Sequence, residues 1–151
     1  DVDQAVRRIL RVKFELGLFA DPYKYSNEAR ENAEILTPEH LAAARDIARK
    51  SFVLLKNESV PNAIRPVLPF PKDLKNIAVI GELANSKEDM LGSWHGAGNA
   101  NDCVSILQGI TEKVGATSKV IFAKGCNVEG EDKSGFANAI KAANQADASL
   151  W

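Results

Sequence analysis

Two cysteines, Cys103 and Cys126, are all the thiols the chain has, and neither lies in a C-x-x-C or another spacing that holds zinc. They read as core or partly exposed thiols, with pairing left open. His40 and His95 are equally isolated, so neither a metal site nor a Ser/His/Asp or Cys/His nucleophilic set is expected. No G-x-G-x-x-G follows a strand-like run and no G-x-x-x-x-G-K-[ST] occurs, which removes the fingerprints of nucleotide binding. No cofactor is expected. No apolar run nears the ~20 residues a spanning helix requires, and the opening Asp1-Val2-Asp3 carries neither a basic n-region nor an apolar h-region. Charge of one sign is missing too: 19 basic residues against 20 acidic leave a formal net charge of -1. Nothing electrostatic therefore favours nucleic acid or an anionic membrane as partner.

What remains is a globular composition, 45% hydrophobic and 26% charged over 151 residues. Val2, Val6, Ile9, Leu10 and Leu16 fall on one helical stripe with Arg7, Arg8, Arg11 and Lys13 beside it, and Gly17 follows as a C-terminal cap. This helix has apolar surface and no nearby sequence neighbour, so it reads as the last helix of something absent. Residues 18 to 36 have little periodicity and an Asp21-Pro22 turn signal. Thr37-Pro38-Glu39 restarts a helix with an N-cap, a proline at its first position and an acid in its first turn, running to about Lys50. The run Ser51 to Asn57 fits helix or strand equally.

Pro61, Pro66, Pro69 and Pro71 then exclude a helix interior or a central strand and suggest an extended connector. Beyond it the order is strand, helix, strand, helix and nascent strand: Ile77 to Ile80 closed by Gly81, a helix from Ile106 to Val114 closed by Gly115, Val120 to Ala123 closed by Gly125, a helix from about Ser134 to Ala146 with Phe136, Ile140 and Ala143 inward, and a last strand beginning at Ala148. Continuously apolar strands alternating with helices predict a parallel sheet covered on both faces, an α/β class. Two or three strands leave edges and faces uncovered, so the chain is expected to be weakly stable or part of a larger whole.

One loop is unusual in composition. Leu91-Gly92-Ser93-Trp94-His95-Gly96-Ala97-Gly98-Asn99 sets a Trp and a His among three glycines, which is no core-helix material. A tryptophan there offers a flat apolar face with a polar N–H, suited either to stacking on a sugar ring or to packing at a domain seam. Acids near loops are numerous (Glu82, Glu88, Asp89, Asp102, Glu129, Glu131 and Asp132), and spacing alone selects no catalytic pair among them.

Several segments together resemble one family. Ala44 to Asn57 (Ala-Arg-Asp-Ile-Ala-Arg-Lys-Ser-Phe-Val-Leu-Leu-Lys-Asn), then Val67-Leu68-Pro69 and Ile77-Ala78-Val79-Ile80-Gly81, is similar to the interdomain region of glycoside hydrolase family 3 β-glucosidases. Val6 to Phe19, ending Lys13-Phe14-Glu15-Leu16-Gly17-Leu18-Phe19, looks like the end of that family's barrel. Gly92-Ser93-Trp94 and Ala123-Lys124-Gly125-Cys126-Asn127 are similar to segments of its periplasmic bacterial members. The resemblance implies residues 1–20 as the end of a (β/α)8 catalytic barrel, 21–72 as an interdomain connector, and 73–151 as the first part of an α/β sandwich. It implies a retaining, exo-acting enzyme on terminal β-D-glucosyl residues, with a β-glucoside or short β-glucan as substrate and a periplasmic or secreted location. The family's nucleophilic Asp and acid/base Glu would lie before residue 1 and after residue 151, so no catalytic residue is assigned. Trp94 and His95 are the substrate-binding candidates. The rival expectation is a stand-alone α/β module that binds a sugar or nucleotide without catalysis.

Overall fold

A computed structural model describes residues 1–59 and 66–151. The chain divides into two compact units, Asp1–Leu55 and Lys56–Trp151.

The first unit holds three helices, and among its described residues none is buried. Helix α1 spans Val2–Glu15. It ends in a Schellman motif: Gly17, at φ 75°, donates its N–H to Phe14 O at 2.9 Å, and Leu18 donates to Lys13 O at 3.0 Å. The apolar stripe read from the sequence is real but uncovered, with Val2, Val6, Ile9 and Leu10 all exposed. Helix α2, Glu28–Glu34, lies where a connection is expected. Its N-cap is Asn27, whose side chain accepts from Arg30 N at 2.9 Å, and its seven residues are too few to display a periodicity. Helix α3, Pro38–Ser51, starts on the anticipated cap, the Thr37 hydroxyl accepting from His40 N at 3.3 Å. Phe52 leaves it with extended backbone, which resolves the ambiguous run: residues 52 to 55 are not helical, and they are exposed.

The second unit contains the core. Near its start the Asn57 side-chain amide bonds the backbone of Leu68 twice, donating to the carbonyl at 2.7 Å and accepting from the N–H at 3.0 Å. No helix or strand occurs over residues 66–73, whereas Pro61 lies outside the described residues. Three parallel strands follow, β1 (Asn76–Ile80), β2 (Lys119–Ala123) and β3 (Ala148–Leu150), in the spatial order β2-β1-β3. Helix α4 (Ile106–Val114) connects β1 to β2, and α5 (Phe136–Asn144) connects β2 to β3. Because the two crossovers run in opposite directions across β1, right-handed connections put α4 and α5 on opposite faces. The central strand is therefore buried on both sides, which its unbroken apolar run requires. Ala78 and Ile80, with Ala123 and the partly buried Ile121, meet α5, whereas Ile77 and Val79 point to the other face.

Helix α5 corrects one expectation. Its buried residues are Ala139 and Ala142, with Ala143 half-buried beside them, whereas Phe136 and Ile140 are 43% and 57% exposed. The small side chains let the helix backbone come down onto the sheet, so the larger residues at 136 and 140 are turned outward. Reading size as a guide to burial chose the wrong stripe.

The amino-terminal edge of the sheet is closed by Asp147. Its carboxylate accepts from Lys75 N and Asn76 N, each at 2.8 Å, and these bonds hold its pKa below the ordinary carboxylate value, the Asn76 N–H most of all. A carboxyl that binds protons less readily folded than unfolded stabilises the fold above its unfolded pKa, and that contribution is lost as pH falls through the folded value. The urea midpoint should accordingly drop as pH is lowered below about 4, and Asp147→Asn should flatten that dependence. A midpoint indifferent to pH in this range would show that the clamp adds nothing.

Candidate functional site

The carboxyl ends of β1 and β2 carry the most organised surface of the second unit. Register brings it about: Ile80 pairs with Ala123, so the residues that follow each strand emerge side by side. Gly81 continues the ladder, donating to Ala123 O at 3.0 Å, and turns the chain at φ 124°, ψ 140°, a conformation confined essentially to glycine. The turn delivers Glu82 to Lys124. One Glu82 oxygen lies 2.8 Å from Lys124 Nζ and the other accepts from Val128 N at 3.0 Å. The Lys124 ammonium foremost, then the Val128 amide, hold the Glu82 carboxyl below its usual pKa. Glu82 thus stays ionised and ties the β2–α5 loop to the end of β1.

That loop is closed at its base. Gly125 and Gly135 approach so closely that a side chain at 135 would collide with the Gly125 carbonyl. Within the loop, Asp132 accepts from the Ser134 N–H at 2.9 Å and the Ser134 hydroxyl at 3.0 Å; both lower its pKa, the N–H more. Opposite it, a short 3-10 turn from Glu82 to Asn85 is followed by Ser86, whose hydroxyl accepts from Asp89 N at 3.1 Å. Between these walls lies an open cleft of about 660 Å³, lined by carboxylates (Glu82, Asp89, Glu129), amides (Asn85, Asn127), Lys124 and the apolar Leu83, Phe122 and Val128.

Trp94 and His95 do not line this cleft. They stand together on the loop from Leu91 to Asn99, with Gly92 and Gly96 at positive φ and Gly98 donating to His95 O at 3.0 Å. Trp94 is 98% exposed and His95 is exposed. Of the acids noted in the sequence, Glu82, Asp89 and Glu129 are gathered at the cleft, and Glu88, Asp102, Glu131 and Asp132 are not. Cys103 is half-buried, Cys126 is exposed, and both are free. Among the described residues no three His, Cys, Asp or Glu side chains are placed to hold a metal ion, and no helix is long and apolar enough to cross a membrane. The Glu82–Lys124 pairing escaped the sequence reading because 42 residues separate its members and only the register of β1 on β2 joins them. The one available signal was that Lys124 directly follows one apolar strand and Glu82 follows the other after a single glycine.

Residues 52–151 match the glycosyl hydrolase family 3 C-terminal domain. Over 133 residues the chain is 43% identical to a periplasmic β-glucosidase of Salmonella typhimurium, an alignment covering 85% of this chain and 16% of that protein. It is 37% identical over 153 residues to a β-xylosidase of Formosa agariphila, covering 97% of this chain and 20% of that one. Among solved structures, a Listeria innocua β-glucosidase in complex with gluconolactone superposes with a TM-score of 0.72 at 32% identity, covering 98% of this chain and 19% of the other. The chain thus spans about a fifth of the length of these relatives.

Proposed function

Because the chain belongs to glycoside hydrolase family 3, we propose that it is one portion of a retaining, exo-acting β-glucosidase that releases terminal, non-reducing β-D-glucosyl residues. The observation that carries this reading is the 43% identity to a periplasmic β-glucosidase. The likeness to a β-glucosidase crystallised with gluconolactone, a glucose-derived lactone, supports the same sugar. A β-xylosidase reading is favoured by the second relative, which is matched over 97% of this chain. A glucosyl and a xylosyl ring differ by the hydroxymethyl group, so discrimination between them rests on the pocket around that one substituent.

In this reading residues 1–20 end the catalytic barrel, 21–72 connect the domains and 73–151 begin the α/β sandwich. The loop carrying Trp94 and His95 borders the substrate, Trp94 offering its exposed face to a sugar ring. A β-glucoside or short β-glucan is the substrate, and a periplasmic or secreted location follows the relative's name. Both catalytic carboxylates lie outside the 151 residues, so the chain by itself has no means of protonating the leaving group or of forming a glycosyl intermediate.

The pure chain should therefore leave a chromogenic aryl β-glucoside and the matching β-xyloside intact. Hydrolysis that disappears in Trp94→Ala would overturn the assignment of catalysis to residues elsewhere. Sequencing the coding DNA on both sides of these codons tests the parent. A frame that continues into a barrel upstream and a Glu-bearing loop downstream agrees with the proposal; flanking start and stop codons would replace it with the stand-alone binding module.

A further inference from the structure

The cleft at the carboxyl ends of β1 and β2 has no part in the reading above, which sets the substrate against Trp94 and His95. We propose that this cleft is a second, independent subsite that takes one neutral pyranose. Its volume, about 660 Å³, is within the range of small-molecule sites, and it opens between the loops that follow β1 and β2.

Its walls are braced rather than loose. Glu82 fastens the β2–α5 loop through Lys124 and Val128, the Gly125–Gly135 approach shuts that loop at its base, and Ser86 holds the opposite wall through Asp89. A braced wall lowers the ordering cost that ligand binding would otherwise meet.

The lining selects the class of ligand. Leu83, Phe122 and Val128 supply apolar surface for the C–H face of a sugar ring, and the Asn85 and Asn127 amides supply donors and acceptors together for its hydroxyl rim. Three carboxylates face one ammonium, which Glu82 already engages, so phosphates and other anions meet net negative charge. A neutral polyhydroxylated ring satisfies both conditions; a nucleotide does not.

Amide NMR of the full 151-residue chain, titrated separately with D-glucose, D-xylose and inorganic phosphate, tests the proposal. One of the two sugars should shift the Leu83 and Val128 amides saturably, with a Kd on the order of 1 mM, as small ligands of limited contact bind. Asn127→Ala should weaken that binding about tenfold. Should Asn127→Ala not fold, Asn85→Ala on the other wall provides the same test. Absence of saturable shifts, shifts confined to residues 92–98, or phosphate moving the same amides would each overturn the subsite. Sugar shifts at Leu83 and Val128 with none around Trp94 would uphold the subsite and count against the substrate role of Trp94, so the two proposals fail separately.

Discussion

Gly135→Ala should destabilise the chain by about 2–4 kcal/mol, an effect out of proportion to a single methyl group. The backbone conformation is not the cause, since Gly135 sits at φ -84°, which alanine adopts freely. The cause is the Gly125 peptide: a Cβ at 135 would stand 2.9 Å from its carbonyl carbon and nearer still to its oxygen. Neither partner has room to retreat. Gly135 caps α5, its carbonyl accepting from Ala139 N at 3.1 Å, and Gly125 stands over Ile80 and Ala139 at φ 76°. Moving either would lift α5 from the sheet or bend the end of β2. Gly130→Ala provides the comparison, because its φ of 94° makes alanine unfavourable but open space surrounds the new methyl, for a cost of about 1–2 kcal/mol. Urea midpoints of the two variants should differ clearly. Equal losses would mean that the base of the β2–α5 loop is not closed as described.

Ile80→Ala should cost about 3 kcal/mol, with Ile140→Ala within about 0.5 kcal/mol of the parent chain. Ile80 is 5% exposed, in the cluster with Ala78, Ala123, Ala139 and Ala142. The other buried members of the cluster are all alanines, which have no rotamers with which to refill the space of three lost carbons, so the cavity persists. Ile140, one turn along the helix that covers this cluster, is 57% exposed and leaves no cavity when shortened. A loss at Ile140 equal to that at Ile80 would show that α5 sits on the sheet by the face read from its sequence, Phe136 and Ile140 inward.

That comparison locates where sequence reading succeeds. Helix ends were legible because caps are local chemistry: Thr37 with Pro38, Gly17 and Gly115 each act within a few residues of themselves. The strand at Ile77 to Ile80 was legible because a strand buried on both faces must be apolar, and the edge strand at Val120 to Ala123 because its run is apolar too. The family, too, was legible in short runs such as Phe52 to Asn57 and Gly92-Ser93-Trp94, since a motif survives without its surroundings. Helix α2 was too short for a period to appear, and the burial of α5 was misjudged because volume says nothing of how closely a backbone approaches.

The α/β order, the caps and the likeness to a glycoside hydrolase family are set by neighbours along the chain and can be read from it. The folded chain alone reveals that β1 lies between β2 and β3, that Glu82 meets Lys124 and Val128, that Asp147 closes the far edge of the sheet, and that Gly125 and Gly135 touch. Each of those pairings joins residues distant in sequence. It is fixed by strand register and helix packing, which belong to the whole fold and have no local signature.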